Sequence, residues 1–404
     1  MKGRISTWTK ALAALALAAS AAAAHASPGN GIRLGGSEAR LHPFVDLETR
    51  YDSNVSYSSS ADSIGDLILH VRPGVELKSP GDLAAVEFSG AIDWSQYLGL
   101  EGDTKNLSRL YADAGLSALF SRNRAVSIRV DNDFRRQVSS TSLAAAGVAV
   151  ISNANALSLS APWKPGGGAL VVSANGSWLV ETFQKYKDDP GVPLGDLGYS
   201  QFRAGADVQW RFLPRTSGIF SAGYFARVPN ASNRPDDATG YDFLAGVTGL
   251  VTPHIAATMK VGYGTTSSSL KDSSSVLADV GAEWLPSETI SFRTGYTRSF
   301  GLDPTASTYV ADGVSAGVRV RIAERFALRG GVRYDRLAFQ AIPGGADTSF
   351  LRIDPSIEGS LGKWMTLGMG YVYSTRTASW PAGLGGAPPD YSKNEAFLKL
   401  GVTY

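Results

Sequence analysis

Cysteine is absent from the 404-residue chain. That excludes disulfides, cysteine-ligated zinc and iron–sulfur clusters. Histidine is scarce, 4 in all, and after residue 26 only His42, His70 and His254 remain, far apart in sequence. No H-E-x-x-H motif or other close metal-ligand spacing is available, and no cofactor is expected. Excess charge is missing too: 38 Lys and Arg stand against 36 Asp and Glu, a net +2. Lys2, Arg4 and Lys10 fall in the first 26 residues without an acid, so the rest carries −1 (2 − 3). Such a chain does not bind nucleic acid through bulk positive charge. Beyond the N-terminus no apolar run approaches the ~18 residues that a spanning helix needs.

What is present begins with an export signal. Met1–Lys10 is basic, Ala11–Ala24 is apolar and Ala-rich, and Ala24-His25-Ala26 fits the small-residue cleavage rule. The apolar stretch is too short to span a bilayer. Residues 1–26 are therefore expected to be a signal peptide, and 27–404 a single domain beyond the inner membrane. Freedom from cysteine suits that oxidising space.

The period of the remaining chain is two. Phe202, Ala204, Ala206, Val208, Trp210 and Phe212 alternate with Gln201, Arg203, Gly205, Asp207, Gln209 and Arg211. Val126, Ile128, Val130 and Phe134 alternate with Arg129, Asp131, Asp133 and Arg135. The same pattern runs through Val314–Ile322, with Arg319 and Arg321 between apolar residues, and through Phe326–Asp335, with Arg329 and Arg333. Successive side chains on a strand point to opposite faces, so each segment has one apolar and one charged face.

Turn signals divide these segments evenly. Short turns fall at Pro80-Gly81-Asp82, Arg122-Asn123, Pro165-Gly166-Gly167, Pro214, Pro253, Pro286, Glu324 and Gly362, and longer polar stretches lie between them. Eight short turns and nine long loops give 18 strands, with both termini on the short-turn side. An all-β, closed antiparallel transmembrane barrel of about 18 strands (16–18) is the architecture with that layout, short turns facing the periplasm and long loops facing outward. Pro73 and Pro355 fall inside strands and predict bulges or shortened strands. A soluble sandwich is the competing reading, but its strands usually run ~5–6 residues, and these are longer. Trp163, Trp210, Trp284 and Trp364 each lie beside a short turn, as an interfacial aromatic girdle would. The apolar face then meets outer-membrane lipid.

In such a barrel the charged face lines the lumen. Its early strands lean acidic, through Asp46, Glu48, Asp52, Glu76, Asp93 and Asp113 among others. Its late strands lean basic, through Arg293, Arg319, Arg321, Arg329, Arg333 and Arg352. These charges either brace the wall by pairing across strands or leave a transverse field in a pore. Sixteen to eighteen strands leave an aqueous channel unless something fills it. An infolded loop could narrow it, and the glycine-rich tract Gly383–Pro389 is a candidate gate or simply a disordered tip. The lumen-path candidates are Glu48, Arg50, Asp52, Asn54, Arg129, Asp131, Arg203, Asp207, Arg319, Arg321, Arg329 and Arg333.

The first strand reads Phe44 to Val55, with the core Arg50-Tyr51-Asp52-Ser53-Asn54-Val55. This core resembles the opening-strand signature of β-barrel porin family 2, except that Ser56 stands where members often carry an aromatic. The resemblance implies an outer-membrane barrel, and for some members a role in exporting exopolysaccharide or capsule with a periplasmic polysaccharide-export protein. Polysaccharide translocation is the first functional expectation, and a general or substrate-selective diffusion porin for small solutes the alternative. The last strand resembles that of outer-membrane proteins in stopping on an aromatic, Tyr404, which implies recognition by the barrel-assembly machinery. Alternation places Glu48, Arg50, Asp52 and Asn54 on the lumen side and Tyr51 and Val55 toward lipid. The polar ladder offers donors and acceptors for sugar hydroxyls, or it pins the first strand at barrel closure.

Catalytic signals are weak. Gly313-Val314-Ser315-Ala316-Gly317 matches G-x-S-x-G, but that motif needs a strained strand-to-helix turn, and none is predicted here. Alternation assembles no Ser–His or Asp–His constellation, so no catalytic residue is expected.

Overall fold

The computed structural model describes residues 29–139, 149–186, 194–231, 237–268, 271–303, 308–323, 325–340, 342, 344–381 and 388–404. The expected signal peptide and most of the glycine-rich tract lie outside these residues.

Each alternating segment forms a strand. In chain order they are β1 (Arg40–Asp52), β2 (Asp66–Ser79), β3 (Ala84–Tyr97), β4 (Arg109–Phe120), β5 (Ile128–Ser139) and β6 (Val150–Trp163). There follow β7 (Leu170–Lys185), β8 (Tyr199–Leu213), β9 (Thr216–Pro229), β10 (Ala238–Thr252), β11 (Ile255–Ser268) and β12 (Ser273–Ser287). The last six are β13 (Ile290–Leu302), β14 (Thr308–Ile322), β15 (Phe326–Phe339), β16 (Ala346–Ile353 continued by Ser356–Ser360), β17 (Met365–Ser379) and β18 (Tyr391–Thr403). Every strand pairs antiparallel with the next, and β1 pairs with β18 from Phe44↔Thr403 to Asp52↔Glu395. The result is a closed barrel of 18 strands, as the turn count predicts. The two-residue strand Ile32–Arg33 adds to the base of β1.

Polarity follows the alternation. Phe202, Trp210, Phe243, Val247, Val314 and Leu398 all lie on the outer face and are exposed there, where acyl chains would cover them. Trp163, Trp210, Trp284 and Trp364 are likewise exposed beside the short turns. Three of them contact a neighbouring ring, Trp284–Phe292 at 5.2 Å, Trp210–Phe212 at 5.9 Å and Trp364–Tyr404 at 5.9 Å.

The prolines behave differently from each other. At Pro355 the strand breaks, but register is kept, because Tyr371 N donates to Pro355 O at 3.0 Å. At Pro73 no bulge forms. The β2–β3 ladder omits pairs between Val71↔Trp94 and Gly74↔Ala91 and resumes in the same register. A second device recurs on the inner wall, where an aromatic faces a glycine directly across the ladder: Phe44↔Gly74, Phe225↔Gly240, Tyr309↔Gly301 and Phe397↔Gly370. A Cβ on Gly240 would lie 2.3 Å from the Phe225 ring and 2.5 Å from Thr265 O. The ring covers backbone that glycine leaves bare, which suits a curved sheet.

Candidate functional site: the barrel lumen

The densest set of inward charges lies at the closing seam. Arg50 contacts Glu48 at 2.6 Å on its own strand and Glu395 of β18 at 2.9 Å. Lys393 of β18 lies 2.7 Å from Asp52, both side chains only 4% exposed, and 3.9 Å from Glu395. Asp46 accepts from Arg72 of β2 and pairs with Lys399 of β18, each at 3.1 Å. Arg72 reaches on to Asp113 of β4 at 2.9 Å. Opposite charges thus alternate across the junction where the first strand meets the last. Lys393 Nζ also sits 4.0 Å from the centre of the Tyr57 ring, a position Tyr57 reaches with a left-handed φ of 56°. Burial pushes the Tyr57 phenol up to about 12, with Lys393 opposing the shift.

Two sequence-based placements are corrected here. β1 ends at Asp52 rather than running to Val55. Asn54 therefore leaves the ladder and is fully buried in the loop, where its N–H donates to Asp52 Oδ1 at 2.9 Å and its Nδ2 to Ser58 O at 2.8 Å. Val55 does not face lipid. It is buried with Ile68, Tyr97, Leu107, Ile151 and Tyr186, because the chain turns inward once the strand has ended.

The remaining candidates are spread around the wall. Arg129 bonds to Asp131 on the same strand at 2.8 Å. Arg203 pairs with Asp242 and stacks over the Phe225 ring. Asp207 accepts from Asn175 and Ser221, both at 2.6 Å. On β15 Arg333 grips Asp335 at 2.6 and 2.8 Å, and Arg329 lies 3.4 Å from Glu358. Arg319 and Arg321 face the lumen and are exposed within it, and neither side chain has a hydrogen bond or ion pair among the described residues.

Exposure of the inward side chains changes along the barrel. Near the short turns, Gln209, Arg211, Arg319 and Arg321 are open, whereas His42, Glu76 and Ser217 at that end are buried. Near the long loops, Tyr97, Tyr199, Arg227, Tyr309, Leu337 and Phe339 are buried. Several loops fold into the mouth. Tyr186 O–H donates to Val55 O at 3.0 Å, its oxygen lies 3.1 Å from that of Tyr97, and Arg109 Nη2 donates to Tyr186 O at 2.7 Å. Burial raises the Tyr186 phenol well above its ordinary value. Asp66 holds the next loop by accepting from Gly99 N, Leu100 N and Thr104 Oγ1. Across the mouth, Arg227 lies 3.5 Å from the Tyr199 ring centre, and Phe339 packs edge-on to Tyr309 and Trp380. The polar-in rule assigned these positions no part in function. Their signal was in the sequence all the same, because the inward parity of Arg333 and Asp335 continues through Leu337 and Phe339.

The structure also assembles a trio that alternation did not reveal. His70 Nδ1 lies 3.1 Å from both Asp93 and Ser95 Oγ. A nucleophilic relay needs acid and serine on different ring nitrogens. Here both meet Nδ1, and Nε2 is buried without a partner among the described residues, so the trio lacks relay geometry. Gly313–Gly317 lies inside β14, paired on both edges, so the strained turn that its motif requires is absent.

The family described as Putative beta-barrel porin 2 matches residues 29–378. The chain belongs to that family. The protein is therefore a bacterial outer-membrane β-barrel porin, its apolar belt seated in lipid. No curated protein matches. Among solved structures, the chain is similar to the outer membrane protein opdK from Pseudomonas aeruginosa at 11% identity and TM-score 0.46, covering 90% of this chain and 99% of that one. It is also similar to the FrpB iron transporter from Neisseria meningitidis (F3-3 variant) at 10% identity and TM-score 0.45, covering 90% and 81%. A third similar structure is the siderophore receptor PirA from Pseudomonas aeruginosa, at 8% identity and TM-score 0.46, covering 92% and 81%. The family match supports a porin and gives no support to the polysaccharide-export expectation.

Proposed function

We propose that this porin is a diffusion channel for small solutes. The supporting observation is the gradient of exposure inside the wall. Charged and polar side chains such as Gln209, Arg211, Arg319 and Arg321 stand open in the inner half, as the walls of a water-filled lumen do. The outer half is packed with buried aromatic and arginine side chains, which would make the mouth the tighter part of the path. Such a mouth suits small molecules better than a polymer. The chemistry asked of the wall is coordination and field, not bond making, so catalysis has no part in the reading.

The candidates divide accordingly. Glu48, Arg50 and Asp52 would act by fixing the closing seam, with Asn54 anchoring the loop above it. Arg129, Asp131, Arg203, Asp207, Arg319, Arg321, Arg329 and Arg333 would line the solute path. β18, which closes the barrel against β1, would be the segment read by the barrel-assembly machinery. The test is conductance of the purified barrel in planar bilayers without any added protein. Discrete channel openings are expected, together with liposome swelling in small sugars. A silent barrel that conducts only after a periplasmic polysaccharide-export protein is added would reverse the choice between the two readings.

A further inference from the structure

The inner wall of β13–β16 carries arginines in an unusual register. Arg319 of β14 stands directly opposite Arg329 of β15, and Arg333 of β15 directly opposite Arg352 of β16. Arg293 of β13 faces Gly317, between these two levels, and Arg321 lies below them toward the short turns. From Arg321 to the level of Arg333 is six residues along β14, or ~20 Å of wall at ~3.3 Å per residue. Like charges directly opposite each other destabilise a ladder. At the closing seam the like-charged register pair Asp52↔Glu395 is answered by a buried cation between them, Lys393, 2.7 Å from Asp52 and 3.9 Å from Glu395. In the Arg319↔Arg329 pair only Arg329 is answered, by Glu358, so bracing does not account for Arg319 among the described residues.

Its charge is also incompletely answered. Glu283, Asp335, Asp354 and Glu358 contact Arg293, Arg333, Arg352 and Arg329. Arg319 and Arg321 have no such partner among the described residues, and they stand in the open half of the lumen. Guanidinium groups stay charged at any pH the cell meets, and each presents a planar fork that fits carboxylate or phosphate oxygens.

We infer that this strip is a binding path for small anionic solutes, carboxylates or phosphates, with Arg319 and Arg321 as the residues that receive them from the open half. The inference rests on the diffusion-channel reading and adds the charge class of the solute. Cations would be disfavoured along the same wall, because they would meet two positive charges that have no acidic partner among the described residues.

Reversal potentials in a KCl gradient test it. The parent barrel is expected to prefer chloride over potassium by about threefold, and R319Q/R321Q to bring that ratio to about one. A cation-preferring parent, or an unchanged ratio in the double variant, overturns the inference while leaving the channel reading intact. Folding of the variant is checked by its heat-modifiable migration in gels, and the parent's reversal potential stands as a test on its own. If the barrel conducts nothing, the channel reading has failed, and calorimetric titration with inorganic phosphate at low salt decides the strip separately. Binding by the parent that weakens tenfold or more in R319Q/R321Q, ~1.4 kcal/mol, upholds it. Absent or equal binding sinks it.

Discussion

Lys393 is the most exacting place to perturb this barrel. Its ammonium is 2.7 Å from Asp52 and 3.9 Å from Glu395, and its side chain is 4% exposed. Replacing it with methionine keeps the volume but leaves two carboxylates facing each other across the closing ladder, at the register pair Asp52↔Glu395. Removing one member of a buried pair costs about 3–5 kcal/mol, because the charge left behind is neither solvated nor answered. K393M should therefore lower folded stability by about that amount. Urea unfolding of the refolded barrel in detergent micelles measures it, read as loss of the fast-migrating folded band, with the slope held common to all variants. Adding Asp52→Asn to K393M removes the orphaned charge and should recover about 2 kcal/mol, a coupling that a double-mutant cycle resolves. Arg336–Asp347 is the control. It is an ion pair of 2.6 Å whose side chains are 51% and 34% exposed, so Arg336→Met should cost no more than about 1 kcal/mol. A K393M loss below about 1 kcal/mol, or no recovery in the double variant, would show that the seam is held by its ladder alone.

Further outcomes are expected elsewhere. Gly240→Ala drives a methyl into the Phe225 ring and Thr265 O and should cost about 1–3 kcal/mol in the same assay, whereas Gly36→Ala, with nothing within 4 Å, should be neutral. Val247→Arg places a charge on the lipid face, where Val247 is 48% exposed, and should cost about 2–4 kcal/mol in bilayers; Gln209→Arg, on the lumen face, should fold normally, and equal losses would contradict the assignment of faces. Tyr186→Ala removes a side chain that ties two loops together in the mouth and should raise single-channel conductance roughly 1.5-fold or more; a drop would place the narrow point elsewhere. Tyr57 has a folded pKa of about 12 against an ordinary 10.0, so its stabilising contribution is whole below pH 10 and is lost as pH rises through 12. Unfolding midpoints should fall across that window less steeply in Tyr57→Phe than in the parent.

Much of this protein follows from its sequence. Alternation of period two, evenly spaced short turns and tryptophans beside those turns are local properties, and each constrains the same architecture. They suffice for the strand number and for the face each strand shows to lipid. The Arg50–Val55 signature placed the chain beside the right family before any fold was in view. Where strands end is not local. Asn54 and Val55 follow the parity of β1 in sequence but leave it in space, because the buried cluster around Tyr97 and Tyr186 draws the chain inward. Tertiary structure alone decided which charges meet. Lys393 and Asp52 are more than 300 residues apart, and only ring closure makes them neighbours. The same holds for Arg319 and Arg329, whose opposition depends on the register of the β14–β15 hairpin. Pattern fixes the direction in which a side chain points, whereas closure and register fix what it finds there.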